Sequence, residues 1–408
     1  MDRREQSSGL DVAIVMFDFG PTGVVRNALR IAAASARAGL RVELWVVQAS
    51  GVMKGEVPAN IPVVEFGDPL GTNYSRGARR RAGRATVPYL AELIDERRPR
   101  LLLSAGNHFH SFAAAATRLA RHPTRLLLRI STGLLPKPEG TLNPYLWMRF
   151  HYKKWKGERR HARAARLIAV SQEIASELRR ETDCAPEQIV VIPNGIDRTA
   201  IEEKAQQPFE HEWFAPGAPP VILGVGRIDK FKNFELLIAA FARLRATRPL
   251  RLMILGEERN AWRHRLEKLA RQLGVADDIR FEGFQPNPHP YFRRAAAYVC
   301  CSRYEGMSNA TLEAMANGCP VVATRTATGA AELLDDGRVG PLAEPSPDAL
   351  AAAIGRRIEA PRDSDGLRAR AADFDLARTT AAYVELLSSE AGLATAPAGH
   401  RSAKALAA

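Results

Sequence analysis

Apolar residues in this chain fall into short, β-branched runs separated by longer stretches of helical period. Val12 to Phe17, Arg41 to Val47, Leu101 to Ser104, Arg125 to Ile130, Leu167 to Ser171 and Ile189 to Ile192 read as buried strands. Runs of this kind lack polar alternation because helices cover both faces, as in parallel sheets. Helices are predicted over 24–38, stopping at Gly39, over 87–98 and over 172–180. After a stretch of low periodicity up to Pro220 the pattern restarts. Strands are predicted at Val221 to Gly226, Leu250 to Leu255, Ile279 to Phe281, Ala297 to Cys301 and Val321 to Ala323, with helices from Phe234 and over 311–316. The expectation is an α/β chain with two doubly wound halves. A length of 408 residues suits two domains of about 200 each.

Composition adds bounds. Hydrophobic residues at 46% and charged ones at 25% are globular values. No apolar run reaches the roughly 18 residues of a spanning helix. The first residues, MDRREQSSGL, lack the apolar core of a secretory signal, so a cytoplasmic protein is expected. Cys184, Cys300, Cys301 and Cys319 lack metal-ligand spacing and read as reduced packing residues. The net charge of +13 points to a polyanionic partner: nucleic acid, an anionic membrane surface or phosphate-bearing substrates.

The richest stretch for chemistry is Ser302 to Thr324, SRYEGMSNATLEAMANGCPVVAT, a loop and helix between two strands. In such a unit the loop and the helix N-terminus sit at the carboxyl edge of a parallel sheet. There the amides of Met307, Ser308, Asn309 and Ala310, with the helix dipole, favour an anion; Ser308 or Asn309 is the N-cap. Glu305 and Glu313 lie eight positions apart, which on one helix places them roughly 80° from each other, so they meet a ligand from two sides. A solvated surface is the plain alternative for Glu313, but its neighbours Leu312, Ala314, Met315 and Ala316 predict a buried helix, in which a carboxylate needs a partner.

Other strand ends carry further candidates. Arg227 and Lys232 follow Gly226 in a strand-end loop and suit a diphosphate, although loop cations are more commonly just solvated. Gly20 and Gly23 follow the first strand and permit close backbone approach, a weak signal by itself. His108 stands at another strand end, with a capping or packing role equally open. No Asp-x-Asp metal site occurs in a suitable loop, so no metal is expected.

The Glu305 to Glu313 stretch resembles the Glu, seven residues, Glu signature of the retaining GT-B glycosyltransferases of family 4 type (glycosyl transferases group 1). The resemblance implies a GT-B architecture of two Rossmann-like, doubly wound domains facing across a cleft. It implies a donor pyrophosphate gripped by Gly226, Arg227 and Lys232, and a nucleotide base held by backbone near Phe284. Glu305 would bond sugar hydroxyls and Glu313 the ribose. The family's first glycine-rich loop usually has a Gly-Gly pair; here Gly20, Pro21, Thr22 and Gly23 stand instead. Many members also carry a sugar-contacting His where this chain has none, leaving Arg129 or Ser131 as substitutes. The segment Pro193 to Asp197, PNGID, closes the first domain in the family. The implied domains are an acceptor-binding half over 9–197, a linker over 198–217 and a nucleotide-sugar-binding half over 218–373. A helix over 374–391 crosses back and a tail spans 392–408.

The implied activity is retaining hexosyl transfer from a UDP- or GDP-sugar to a glycan or lipid-linked acceptor of the cell envelope, with no cofactor besides the nucleotide sugar. Sugar-nucleotide epimerisation and phosphorolysis are alternatives within the fold. Nucleic-acid binding is a further alternative, disfavoured because no recognised module is present. Two basic runs fall in the first half. Residues 73–85 carry five arginines and no acid, and 145–166 interleave Trp, Tyr and Phe with Lys and Arg. The second run suits either an interfacial helix or a solvated one, and a peripheral enzyme at the inner face of an anionic membrane is expected.

Overall fold

The computed structural model describes residues 9–67, 83–133, 164–258 and 261–393. It divides into two units, one comprising 1–170, 175–192 and 378–408, the other 171–174 and 193–377.

In the first unit, strands β1 (Val12–Met16), β2 (Val42–Val46), β3 (Val63–Glu65), β4 (Leu101–Ser104), β5 (Arg125–Ile130), β6 (Arg166–Ala169) and β7 (Ile189–Val191) form a parallel sheet. Their order is β3-β2-β1-β4-β5-β6-β7. Every residue of β1 is buried, as its unbroken apolar run requires. The connecting helices are α1 (Gly23–Arg37), α2 (Val87–Arg97), α3 (His110–Leu119) and α4 (Gln172–Glu181). Thr22 starts α1 by accepting the Val25 amide on its hydroxyl at 3.3 Å.

The second unit opens with α5 (Arg198–Ala205) and continues through β8 (Val221–Val225), α6 (Phe234–Arg245), β9 (Arg251–Leu255), α7 (Trp262–Gln272), β10 (Ile279–Gly283), α8 (His289–Arg294), β11 (Ala297–Cys300), α9 (Asn309–Ala316), β12 (Val321–Thr324), α10 (Ala330–Leu333), β13 (Leu342–Ala343), α11 (Pro347–Glu359) and α12 (Ser364–Ala372). Its parallel strands run in the order β10-β9-β8-β11-β12-β13. Residues 198–217, expected as a linker, group with this unit instead. They hold α5 and the buried Trp213, whose ring takes the guanidinium groups of Arg251 and Arg280 at 4.9 and 4.7 Å. Single aromatic anchors, which leave no periodic trace in sequence, dock this segment.

Helix α13 (Leu376–Glu390) groups with the first unit from Arg378 onward. Arginines from neighbouring strands hold it there. Arg125 and Arg166 both bond the buried carboxylate of Glu390, Arg129 donates to the Tyr383 hydroxyl at 3.1 Å, and Arg100 donates to the Ala391 carbonyl at 2.9 Å.

Candidate active site

In the second sheet β8 and β11 are neighbours, yet the chain winds outward from β8 through β9 and from β11 through β12. The loops after β8 and β11 therefore diverge from one point on the carboxyl edge, where doubly wound sheets bind ligands. Arg227 and Lys232 occupy the first loop, Glu305 the second. Gly226 has φ +147°, and a Cβ there would lie 2.6 Å from Cε of Lys232. Glycine thus lets the lysine stem fold across the backbone.

Both loops are fixed from within. Asp229 Oδ1 accepts the amides of Phe231 and Lys232 at 2.9 and 3.2 Å, and its other oxygen stands 3.5 Å from Arg227, whose side chain is 41% exposed. The Arg303 amide donates to the Phe231 carbonyl at 2.8 Å, and its guanidinium to Asn233 Oδ1 at 3.1 Å. Asn233 starts α6 in the left-handed conformation, φ 55°. Across the two loops, Lys232 Nζ donates to Glu305 Oε2 at 2.7 Å, and the Ser302 hydroxyl donates to the same oxygen at 3.0 Å. Burial works against the Lys232 ammonium, but the Glu305 carboxylate outweighs it and holds the lysine above its ordinary pKa. It stays a cation at neutral pH.

Helix α9 follows. Ser308 is its N-cap, accepting the Thr311 amide at 3.3 Å. Met307 and Ser308 are buried, Asn309 and Ala310 partly so. Glu313 is half-buried rather than buried, because it takes the one position from 311 to 316 that turns away from the packed faces. Gly329 comes so close that a Cβ on it would lie 2.4 Å from the Gly306 carbonyl oxygen. Asn194 is buried and donates from Nδ2 to the Met307 carbonyl and to Asn309 Oδ1, each at 2.9 Å. The PNGID segment, which the resemblance puts at the close of the first domain, groups with the second unit and braces the loop in front of α9. Its signal was an amide side chain beside apolar residues. Phe284 follows β10, two strands from β8, and is 46% exposed.

The first unit has an equivalent switch between β1 and β4. Gly20 follows β1 with its amide on Asp18 Oδ1 at 2.9 Å, and Gly23 opens α1. Asn107, after β4, accepts the Ser131 amide and hydroxyl on Oδ1 at 2.8 and 3.0 Å and donates to the Thr132 carbonyl at 3.1 Å. This fastens the end of β5, with exposed His108 next to the tie. Arg129 is not presented to a ligand as expected. It is 2% exposed and bonded to Tyr383, because the inward face of β5 packs against α13.

The basic runs fall largely outside the described residues, at 76–82 and 149–163. Among the described residues no helix is long and apolar enough to cross a membrane, and no group of His, Cys, Asp and Glu side chains is placed to hold a metal ion.

Two doubly wound units, with cations and a carboxylate meeting at the switch point of the second, define a protein of the GT-B class. Residues 21–200 match Glycosyltransferase Family 4, and residues 219–360 match Glycosyl transferases group 1. The chain belongs to this glycosyltransferase family. It is 32% identical over 184 residues to the N-acetylgalactosamine-N,N'-diacetylbacillosaminyl-diphospho-undecaprenol 4-alpha-N-acetylgalactosaminyltransferase of Campylobacter jejuni, covering 45% of this chain and 48% of the relative. It is 34% identical over 184 residues to the lipopolysaccharide core biosynthesis glycosyltransferase LpsE of Rhizobium meliloti, covering 43% and 52%. The matches thus span about half the length of these curated relatives. In fold it is similar to HepE of Anabaena in complex with UDP, with TM-score 0.72, 21% identity and coverage of 93% of this chain and 100% of that one. It is likewise similar to WaaG, a glycosyltransferase involved in lipopolysaccharide biosynthesis, with TM-score 0.69, 17% identity and coverage of 92% and 99%.

Proposed function

We propose that this protein is a retaining hexosyltransferase that moves a sugar from a UDP- or GDP-sugar to a glycan or lipid-linked acceptor in cell-envelope synthesis. The observation that carries the reading is the Lys232–Glu305 pair at the switch point of the second sheet, in front of the capped N-terminus of α9. A cation and a helix N-terminus suit a diphosphate, and a carboxylate beside them suits sugar hydroxyls.

As the glycosidic bond from C1 to the phosphate oxygen breaks, negative charge builds on the diphosphate. Arg227, Lys232 and the amides from Met307 to Ala310 stabilise it. The acceptor hydroxyl forms the new bond to C1 on the face that the leaving group vacates, and its proton passes to the departing phosphate oxygen. Glu305 orients the sugar and Glu313 holds the ribose. From the first unit, the family resemblance proposes Gly20 and Gly23 as donor contacts and His108 and Ser131 as acceptor or sugar contacts. HepE binds UDP and the Campylobacter relative is named for a diphospho-undecaprenol acceptor, which favours a nucleotide-sugar donor and a lipid-linked acceptor here. We place the enzyme peripherally at the inner face of an anionic membrane.

The test is thermal unfolding with UDP, GDP and ADP and their glucose or mannose conjugates. A donor nucleotide at about 100 times its dissociation constant adds about 2.7 kcal/mol of stability. No shift with any nucleotide would overturn the reading.

A further inference from the structure

The two hydrogen bonds to Glu305 both end on one oxygen. Oε2 accepts from Lys232 Nζ at 2.7 Å and from Ser302 Oγ at 3.0 Å. Among the described residues no donor reaches Oε1. The carboxylate is therefore anchored by one edge and presents the other.

The two anchors differ in what a diphosphate does to them. Lys232 is the cation that an incoming diphosphate competes for, since phosphate oxygens and the carboxylate are alternative acceptors for one ammonium. Ser302 is neutral and has no such competitor. It is 1% exposed, at the end of β11, and its position is set independently of any ligand. Its carbonyl accepts from the Thr326 hydroxyl at 3.2 Å, and the Cys300 thiol lies 4.0 Å from its oxygen as a weak donor. An ionised carboxylate only accepts, so the Ser302 proton is directed to Glu305.

We infer that Ser302 is a positioning residue: its hydroxyl keeps Glu305 Oε2 in place when Lys232 turns to the diphosphate, so that Oε1 remains aimed at a hydroxyl of the transferred sugar. The inference rests on the donor site proposed above and assigns the hold on the sugar-facing carboxylate to a side chain that touches neither donor nor acceptor. Lys232 then serves two partners in turn, Glu305 in the empty site and the diphosphate in the filled one, while Ser302 preserves the geometry across the exchange.

The experiment compares wild type, Ser302→Ala, Ser302→Thr, Glu305→Gln and the Ser302→Ala/Glu305→Gln double variant. UDP and GDP affinities are measured by calorimetry, and turnover of UDP-glucose and GDP-mannose by nucleoside diphosphate release. Ser302→Ala is expected to keep nucleoside diphosphate affinity within about twofold while turnover falls about tenfold, the mark of an interaction used after the diphosphate is seated. Ser302→Thr retains the hydroxyl and restores turnover. Adding Ser302→Ala to Glu305→Gln costs nothing further, because both changes act on one carboxylate. Unchanged turnover in Ser302→Ala, an equal loss of nucleoside diphosphate affinity, or additive losses in the double variant would each overturn the role; the double variant decides even where threonine does not fit. If wild type binds neither UDP nor GDP, the donor-site reading itself falls, and the positioning role with it.

Discussion

At the scale of residues the decisive feature is that the proposed phosphate-binding lysine already has a partner. Arg227 and Lys232 look equivalent in sequence, two cations in one loop, but Arg227 is 41% exposed beside Asp229 and Lys232 is bonded to Glu305. Both Arg227→Ala and Lys232→Ala are expected to weaken nucleoside diphosphate binding by roughly 2–4 kcal/mol. Their stabilities should differ. Arg227→Ala leaves the melting temperature unchanged, as for an exposed ion pair, whereas Lys232→Ala leaves a partly buried carboxylate with Ser302 alone and costs about 1–2 kcal/mol in a denaturant titration. Because folding raises the Lys232 pKa, its contribution is complete below the free lysine value of about 10.4 and is lost only as pH rises through the higher folded value. Nucleoside diphosphate affinity should therefore show no lysine limb from about pH 6 to about pH 9. The cysteines yield a second residue-scale prediction. All four are buried and stand outside any disulfide. Burial pushes Cys319 up to about 12 and raises Cys301 further. A thiol-disulfide reagent at about pH 8 should label none of them in the native protein and all four in guanidinium, because only the thiolate reacts and only unfolding exposes it.

At the scale of elements, α13 shows ion pairs added to an apolar seam, in which Tyr383, Leu387 and Ala391 pack into the core of the first unit. Glu390 carries a carboxylate that is 4% exposed between Arg125 and Arg166, themselves 54% and 31% exposed. Glu390→Gln removes the charge that both guanidinium groups answer. Discounted for the solvent around the arginines, the loss is about 1–2 kcal/mol, measurable as a lower unfolding midpoint with the donor site intact. Unchanged stability would mean that Tyr383 and its apolar neighbours alone dock the helix. Helix α9 is placed differently, by the Ser308 cap at its start and by Asn194 bracing the preceding loop. Here hydrogen bonds, rather than ion pairs, set the position of a functional element.

At the scale of the whole molecule, the net charge of +13 is unevenly spread along the chain. The run from Arg149 to Arg166 holds eight Lys or Arg and one acid, Glu158, interleaved with Phe150, Tyr152 and Trp155. Each cation close to an anionic leaflet contributes about 1 kcal/mol. Co-sedimentation with phosphatidylglycerol vesicles is expected at low salt and should fade as salt screens the charges. Absence of binding at low salt would remove the membrane from the proposal and leave the transferase reading standing.

What the chain's pattern determined by itself was eleven of the thirteen described strands, all but the short edge strands β3 and β13, together with the repeat of the doubly wound unit and the loops that carry chemistry. Burial on both faces of a parallel sheet imposes runs such as Val12 to Met16, and these survive in one dimension. Glycines are legible for the same reason: the left-handed φ at Gly226 admits little else. Other facts belonged to tertiary structure alone. Nothing local to Arg129 distinguished a ligand contact from a bond to Tyr383, 254 residues away. Nor did a 73-residue separation announce that Lys232 and Glu305 would meet, or that Ser302 would share the same oxygen. Periodicity reports which face of an element is buried; which partner a buried polar group finds depends on strand order, and strand order is fixed only when the sheet assembles.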